Sequence, residues 1–276
     1  MRIISAEERL GSDFGAKVML LGESGIGKTS QLLTLDQEKT LFVNIEAGDL
    51  SVRNFKGVTL ETETWQDCKD IAVLLGGPNV SIVSENLSYG QAHYNSALKR
   101  FPNLKEINNT YDNLFVDSIS VASRLCFSWC EQQPDAETKG GTPNTLKIYG
   151  KLKTELIQWA THLQHVKNKN VIFVGLLDSY KDDVTQKESY SIQMDGSGAK
   201  LAIPGIVDEM ISNVWKPTNN LDPEQPTNKQ RMFVCHTDNP WDYPCKDRSG
   251  LLSQIEEPHL GNLLNKITQK KIKGDK

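Results

Sequence analysis

The sequence has no long apolar run; its longest, such as Val18–Leu21 and Val171–Val174, are the size of strands. A membrane-spanning helix needs about 20 apolar residues, so none is expected. The N-terminal stretch MRIISAEERLGSDFG holds two glutamates and no apolar core of signal-peptide length, which predicts a cytoplasmic chain. Cysteine is sparse and odd in number: Cys68, Cys126, Cys130, Cys235 and Cys245. Scattered over 276 residues, they read as reduced structural thiols rather than a disulfide framework. Cys126 and Cys130 are four apart and Cys235 adjoins His236, yet a metal site needs further ligands at close spacing. An excess of positive charge is also missing, with 31 Lys+Arg against 35 Asp+Glu and a net charge of −4. That excludes coating by nucleic acid through bulk charge, and leaves local basic loops open.

What is present is ordinary for a soluble globular protein: 38% hydrophobic and 24% charged residues. With no internal repeat and no second domain boundary, residues 1–276 read as one domain. A short extension (1–15) precedes it and a basic tail (266–276) ends it. Apolar strands are expected at Lys17–Leu21, Thr40–Ile45, Leu114–Val116 and Val171–Leu177. Between them, helices are expected at Lys28–Leu35, Trp65–Leu75 and Gln91–Arg100. From Lys151 onward, Leu152, Leu156, Trp159, Leu163 and Val166 form one apolar stripe at helical spacing. Strands alternating with helices imply a mostly parallel sheet covered on both faces. Two long polar stretches, Glu131–Asn144 and Asp178–Lys200, read as loops; loops of that length are usually functional. A Pro-rich stretch from Pro217 to Pro226 then leads to a strand at Arg231–His236 and a terminal helix.

The segment Gly22-Glu23-Ser24-Gly25-Ile26-Gly27-Lys28-Thr29 fits G-x-x-x-x-G-K-[ST] between a strand and a helix. Glycines let backbone N–H groups wrap a phosphate, and Ser30 continues the cradle into the helix. Lys28 would reach the β- and γ-phosphates, and the Thr29 hydroxyl would ligate Mg²⁺. Asp117, ending the strand LFVD, supplies the carboxylate that holds the metal's shell. Glu46, directly after TLFVNI, is the candidate to orient the hydrolytic water, with Asp49 as a substitute.

These pieces, in this order, resemble the RecA-type recombinase core. There a strand ends in a catalytic glutamate, as in "FIDAE", which NIEAG around Glu46 echoes, and the next acidic strand ends in Asp-Ser, as Asp117-Ser118 does. More closely, the chain is similar to small phage-encoded RecA-like ATPases grouped with single-strand annealing proteins. The shared segments are "LPG-x-x-D" (Ile203-Pro204-Gly205-Ile206-Val207-Asp208) and "K-x-R-x-G" (Lys246-Asp247-Arg248-Ser249-Gly250). The resemblance implies an α/β fold: a RecA-like P-loop NTPase core with a mostly parallel sheet, flanking helices and a β-rich C-terminal part. ATP and Mg²⁺ are the implied cofactors. Lys246 and Arg248 would reach the ATP of an adjacent subunit in a homo-oligomer, ring or filament. Single-stranded DNA is the implied partner, with a single-strand-binding protein as a further one, in the host cytoplasm if the chain is phage-encoded. Lys139, Lys181, Lys187, Tyr190 and Lys200 on the two long loops would face the DNA, and the tail Lys266–Lys276 could add phosphate contacts. One departure is visible: Leu176 or Leu177 stands where recombinases of this type usually carry a polar sensor, often Gln.

The leading expectation is an ATP- and Mg²⁺-dependent recombination ATPase that binds single strands and promotes annealing or pairing. A RecA-core helicase or loader and a nucleotide-gated binding protein with little hydrolysis are the alternatives. A small-molecule kinase would want an arginine-bearing lid, and the segment after Leu177 has lysines but no arginine.

Overall fold

In the computed structural model, residues 3, 5–7, 15–85, 87–104, 110–181, 183–184, 186–217 and 229–268 are described. The Pro-rich stretch beyond Pro217 and the tail beyond Thr268 lie outside them. The sheet comprises β1 (Lys17–Gly22), β2 (Thr40–Asn44), β3 (Val58–Glu61), β4 (Asn113–Asp117), β5 (Asn170–Lys181), β6 (Glu188–Gln193), β7 (Glu209–Pro217), β8 (Lys229–Val234), β9 (Lys246–Asp247) and β10 (Ile255–Glu256). The helices are α1 (Trp65–Gly76), α2 (Gln91–Arg100), α3 (Ile119–Glu131), α4 (Thr145–Gln164), α5 (Ser197–Ile206) and α6 (Leu260–Thr268).

Strand order is β10-β8-β7-β1-β5-β4-β2-β3, with β6 on β5 and β9 on β7. From β7 to β3 all pairs are parallel; β8, β10, β6 and β9 pair antiparallel. The sheet is thus mostly parallel with a β-rich C-terminal part, as expected. Every residue of β1, β2 and β4 is buried, the pattern of strands covered on both faces.

Successive residues of each strand serve opposite faces. On one face Met19, Leu21, Val116 and Phe173 meet Trp65, Leu156, Trp159 and Cys126, so α1, α3 and α4 form the thick layer. On the other, Val18, Leu20, Phe115 and Val174 meet Leu32, Leu35, Leu260 and Leu263 from the segment after β1 and from α6. The predicted stripe on α4 is wholly inside, Val166 just past its end included. That helix begins at Thr145, earlier than the stripe required, because Asn144 caps it by accepting from Lys147 N–H at 3.3 Å. All five cysteines are buried and unpaired. No helix among the described residues is long and apolar enough to cross a membrane.

Two expectations need correction. The segment after the glycine loop is a 3₁₀ turn, Thr29–Thr34, not an α-helix over Lys28–Leu35. Leu35 is already extended, and α6 crosses so closely that a Cβ on Gly261 would sit 2.2 Å from Thr34 O. The glycine loop therefore offers its backbone N–H groups with little helix dipole behind them. The stretch Asp178–Lys200 is not a loop: β5 runs on to Lys181 and turns into β6, with Ser179 opposite Tyr190 and Lys181 opposite Glu188. Its end already belongs to α5.

Candidate nucleotide site

β1 lies in mid-sheet between β5 and β7 and delivers Gly22 to the carboxyl edge, where ligands of open α/β sheets bind. Gly25 (φ 77°) and Gly27 (φ 89°) occupy left-handed backbone that other residues rarely adopt. Gly22 is needed for a different reason. A Cβ there would lie 2.8 Å from Asn213 O, 2.9 Å from Ile26 Cγ2 and 3.4 Å from Lys28 Cδ. Beside it, Lys28 is buried and its ammonium donates to Gly22 O at 2.9 Å and Glu23 O at 2.8 Å. Burial lowers its pKa, opposed by the carboxylates of Asp117, Glu46 and Glu23.

Asp117 ends β4, two strands from β1, and the Thr29 hydroxyl donates to its Oδ2 at 2.5 Å. Asp117 is 2% exposed, and burial raises its pKa to about 6, against the Thr29 bond and Lys28 and with help from Glu46. Glu46 follows β2, and its N–H donates to Asp117 O at 3.1 Å. The parallel pairing of Asn44 with Asp117 is what brings this strand end to the same edge. Lys28, Thr29, Asp117 and Glu46 thus share one cluster, while Asp49 begins the next 3₁₀ turn. Ser118 caps α3 by accepting from Val121 N–H.

The donor set fits a Mg²⁺–nucleotide: a hydroxyl and a carboxylate side by side, an ammonium against the loop, and glycines at positive φ. Orphaned buried atoms at the same edge support the fit. Asn213 is fully buried next to Gly22, and neither of its amide atoms has a partner; nor has Asn44 Oδ1. Sequence reasoning missed Asn213 because no local spacing links it to a loop almost 200 residues earlier. A polar Ser-Asn pair interrupting the apolar run of β7 was the available signal.

Lys246 and Arg248 are not in this cluster. β9 pairs with the start of β7, where Glu209 lies beside Val18, roughly 13 Å down the strand from Gly22. Lys246 Nζ donates to Pro204 O at 3.0 Å and Val207 O at 2.6 Å, and Arg248 pairs with Asp208 at 2.8 Å. Neither reaches the P-loop of its own chain. The DNA candidates are dispersed. Lys139 is exposed in the turn closed by Glu137 and Pro143, and Lys181 is exposed on the β5–β6 hairpin. Lys187 pairs with Asp242 at 2.9 Å, Tyr190 packs on Tyr243 at 4.5 Å between centroids, and Lys200 lies 3.9 Å from Asp178.

The family profile described as AAA domain matches residues 15–249. The chain belongs to the AAA domain family. Nucleotide binding by a P-loop ATPase is therefore the general activity of this AAA domain protein. No curated protein matches it. Solved structures similar to it include a KaiC-like protein from Pyrococcus horikoshii OT3, at 14% identity and TM-score 0.37, covering 85% of this chain and 87% of that one. The RadB recombinase matches at 13% and 0.31, covering 81% of each. A prototypical ATPase from the type III secretion system of pathogenic bacteria matches at 14% and 0.38 over 76% of this chain, which spans 53% of that one.

Proposed function

We propose that this AAA domain protein is an ATP- and Mg²⁺-dependent recombination ATPase that binds single-stranded DNA and promotes annealing or strand pairing. The observation that carries the nucleotide half is the Thr29–Asp117 contact, with Lys28 and Glu46 around it. When bound, Mg²⁺ would supply charge neutralisation at the phosphates. Thr29 and Asp117 would hold that ion, Lys28 would release its two carbonyls to meet phosphate, and Glu46 would orient the attacking water. The DNA half is supported by the β5–β6 hairpin, which carries Tyr180 (64% exposed), Lys181, Lys187 and Tyr190 beyond the carboxyl edge of β1. An exposed tyrosine, Tyr180, among lysines suits stacking and phosphate contact on a single strand, while Tyr190 is half-buried against Tyr243.

Lys246 and Arg248 act in this reading on a neighbouring copy's nucleotide, which makes the working form a homo-oligomer. Two measurements test the proposal. A Lys28→Ala protein should lose nucleotide-dependent activity, and a gel shift of single-stranded DNA with and without ATP at fixed salt should show ATP-dependent binding. If a forked duplex is unwound while complementary strands are not annealed, the helicase reading replaces this one.

A further inference from the structure

The β7–β8 pairing brings one more cation to the P-loop. Asn213 lies beside Gly22 in the β1–β7 register, and Trp215 is the next residue of β7 on that face, with Arg231 directly opposite it on β8. The Arg231 side chain therefore projects on the face where the P-loop crosses the sheet edge. Its Nη1 donates to Ile26 O at 3.3 Å and stands 2.5 Å from where a Gly27 Cβ would be. The guanidinium carbon is 6.0 Å from the centre of the Trp215 ring, which offers it a cation–π support. Among the described residues no carboxylate lies within 4.0 Å of it. Lys28 likewise has none within 4.0 Å, but the charges of Asp117, Glu46 and Glu23 act on it.

We propose that Arg231 is a phosphate-binding residue contributed by the same chain, taking the α- and β-phosphates that ADP and ATP share. It rests on the reading of the P-loop as a nucleotide site. The chemistry favours it. Lys28 alone is outnumbered by Glu23, Glu46 and Asp117, and a polyphosphate adds further negative charge. A planar guanidinium with several donors, held by only one long bond to a carbonyl, gives that bond up at little cost for a charge-assisted one. Its contacts are with Ile26 and Gly27, whereas the hydroxyl and carboxylate that would hold the metal belong to Thr29 and Asp117, so it is assigned to the phosphates rather than to the metal.

The experiment is titration of fluorescent ADP and ATP, in Mg²⁺ at fixed salt, into wild type, Arg231→Ala, Arg231→Gln, Arg231→Lys and Lys28→Ala proteins. Arg231→Ala and Arg231→Gln should weaken both nucleotides by about 10- to 100-fold, the worth of one charge-assisted hydrogen bond. Arg231→Lys should recover part of the loss, and the nucleotide-free melting temperature should not change, since the side chain is exposed. Wild-type affinity for both nucleotides in Arg231→Gln overturns the proposal, while loss in Lys28→Ala alone leaves the ATP site intact. A wild-type protein that binds neither nucleotide overturns both readings.

Discussion

Gly22→Ala separates steric from conformational reasons for a P-loop glycine. Gly22 does not need a left-handed backbone, so the cost of a methyl comes from its neighbours alone. The nearest atom, Asn213 O at 2.8 Å, is backbone in the middle of β7, where Asn213 is paired with Gly22 on β1 and Phe233 on β8, and cannot yield without shifting a strand. Ile26 Cγ2 at 2.9 Å and the Lys28 stem at 3.4 Å are flexible, but moving them displaces the ammonium from its place in the loop. Overpacking of this kind costs about 2–3 kcal/mol. At about 2–4 °C per kcal/mol for a domain of this size, the melting temperature should fall by roughly 4–12 °C. Nucleotide affinity should fall at least about 10-fold, because the shifted Lys28 loses a charge-assisted bond. The control is Gly150→Ala, exposed inside α4 with nothing within 4 Å of its Cβ position. It should raise stability by about 0.5–1 kcal/mol through helix propensity. Calorimetry and nucleotide titration on both variants give the answer. A Gly22→Ala protein melting within about 1 °C of wild type with unchanged affinity would refute the close-approach argument.

Glu46→Gln should bind ATP as wild type does but turn it over about 10²- to 10⁴-fold more slowly in a single-turnover assay; wild-type turnover removes Glu46 from its role. Glu209 is fully buried, and burial followed by its bond to Asp247 raises its pKa to about 7. The folded state therefore holds that proton more tightly than the unfolded one. Its contribution is complete below about pH 4.5 and is lost as pH rises to about 7, a swing of about 3 kcal/mol. Glu209→Gln should flatten that slope in urea titrations at several pH values, and an unchanged slope would place the titration elsewhere. Arg248→Ala should cost under about 1 kcal/mol, since its bridge to Asp208 is exposed. If it serves a neighbour's nucleotide, mixing Arg248→Ala with Lys28→Ala chains should restore part of the ATPase activity that each lacks alone. A mixture no more active than its parts rejects the trans role.

The parallel sheet, most of its helices and the core of the candidate nucleotide site were legible in the sequence for physical reasons. A P-loop is a local backbone device, so Gly22 to Thr29 carries its geometry in contiguous residues. Asp117 and Glu46 were readable because strand ends in a parallel sheet face one crevice. The β5–β6 hairpin escaped notice because its apolar alternation is confined to Tyr190 and Ile192 among serines and lysines, too brief to outweigh the turn residues around it. Arg231 and Asn213 were invisible for another reason: strand pairing alone, across about 200 residues, brings them to the loop. Lys246 and Arg248 were found by motif, but a two-residue strand holds them at the opposite edge, a placement that only the β7–β9 register reveals.

The central claim is that ATP at this site governs the grip on a single strand. Fluorescence anisotropy of a labelled single-stranded oligonucleotide, at fixed moderate salt, measures it directly with wild-type and Lys28→Ala proteins and a non-hydrolysable ATP analogue. Binding by the wild type should appear or tighten at least about 10-fold with the analogue, with no such response in Lys28→Ala. Anisotropy that stays flat with the wild type saturated in nucleotide would contradict it.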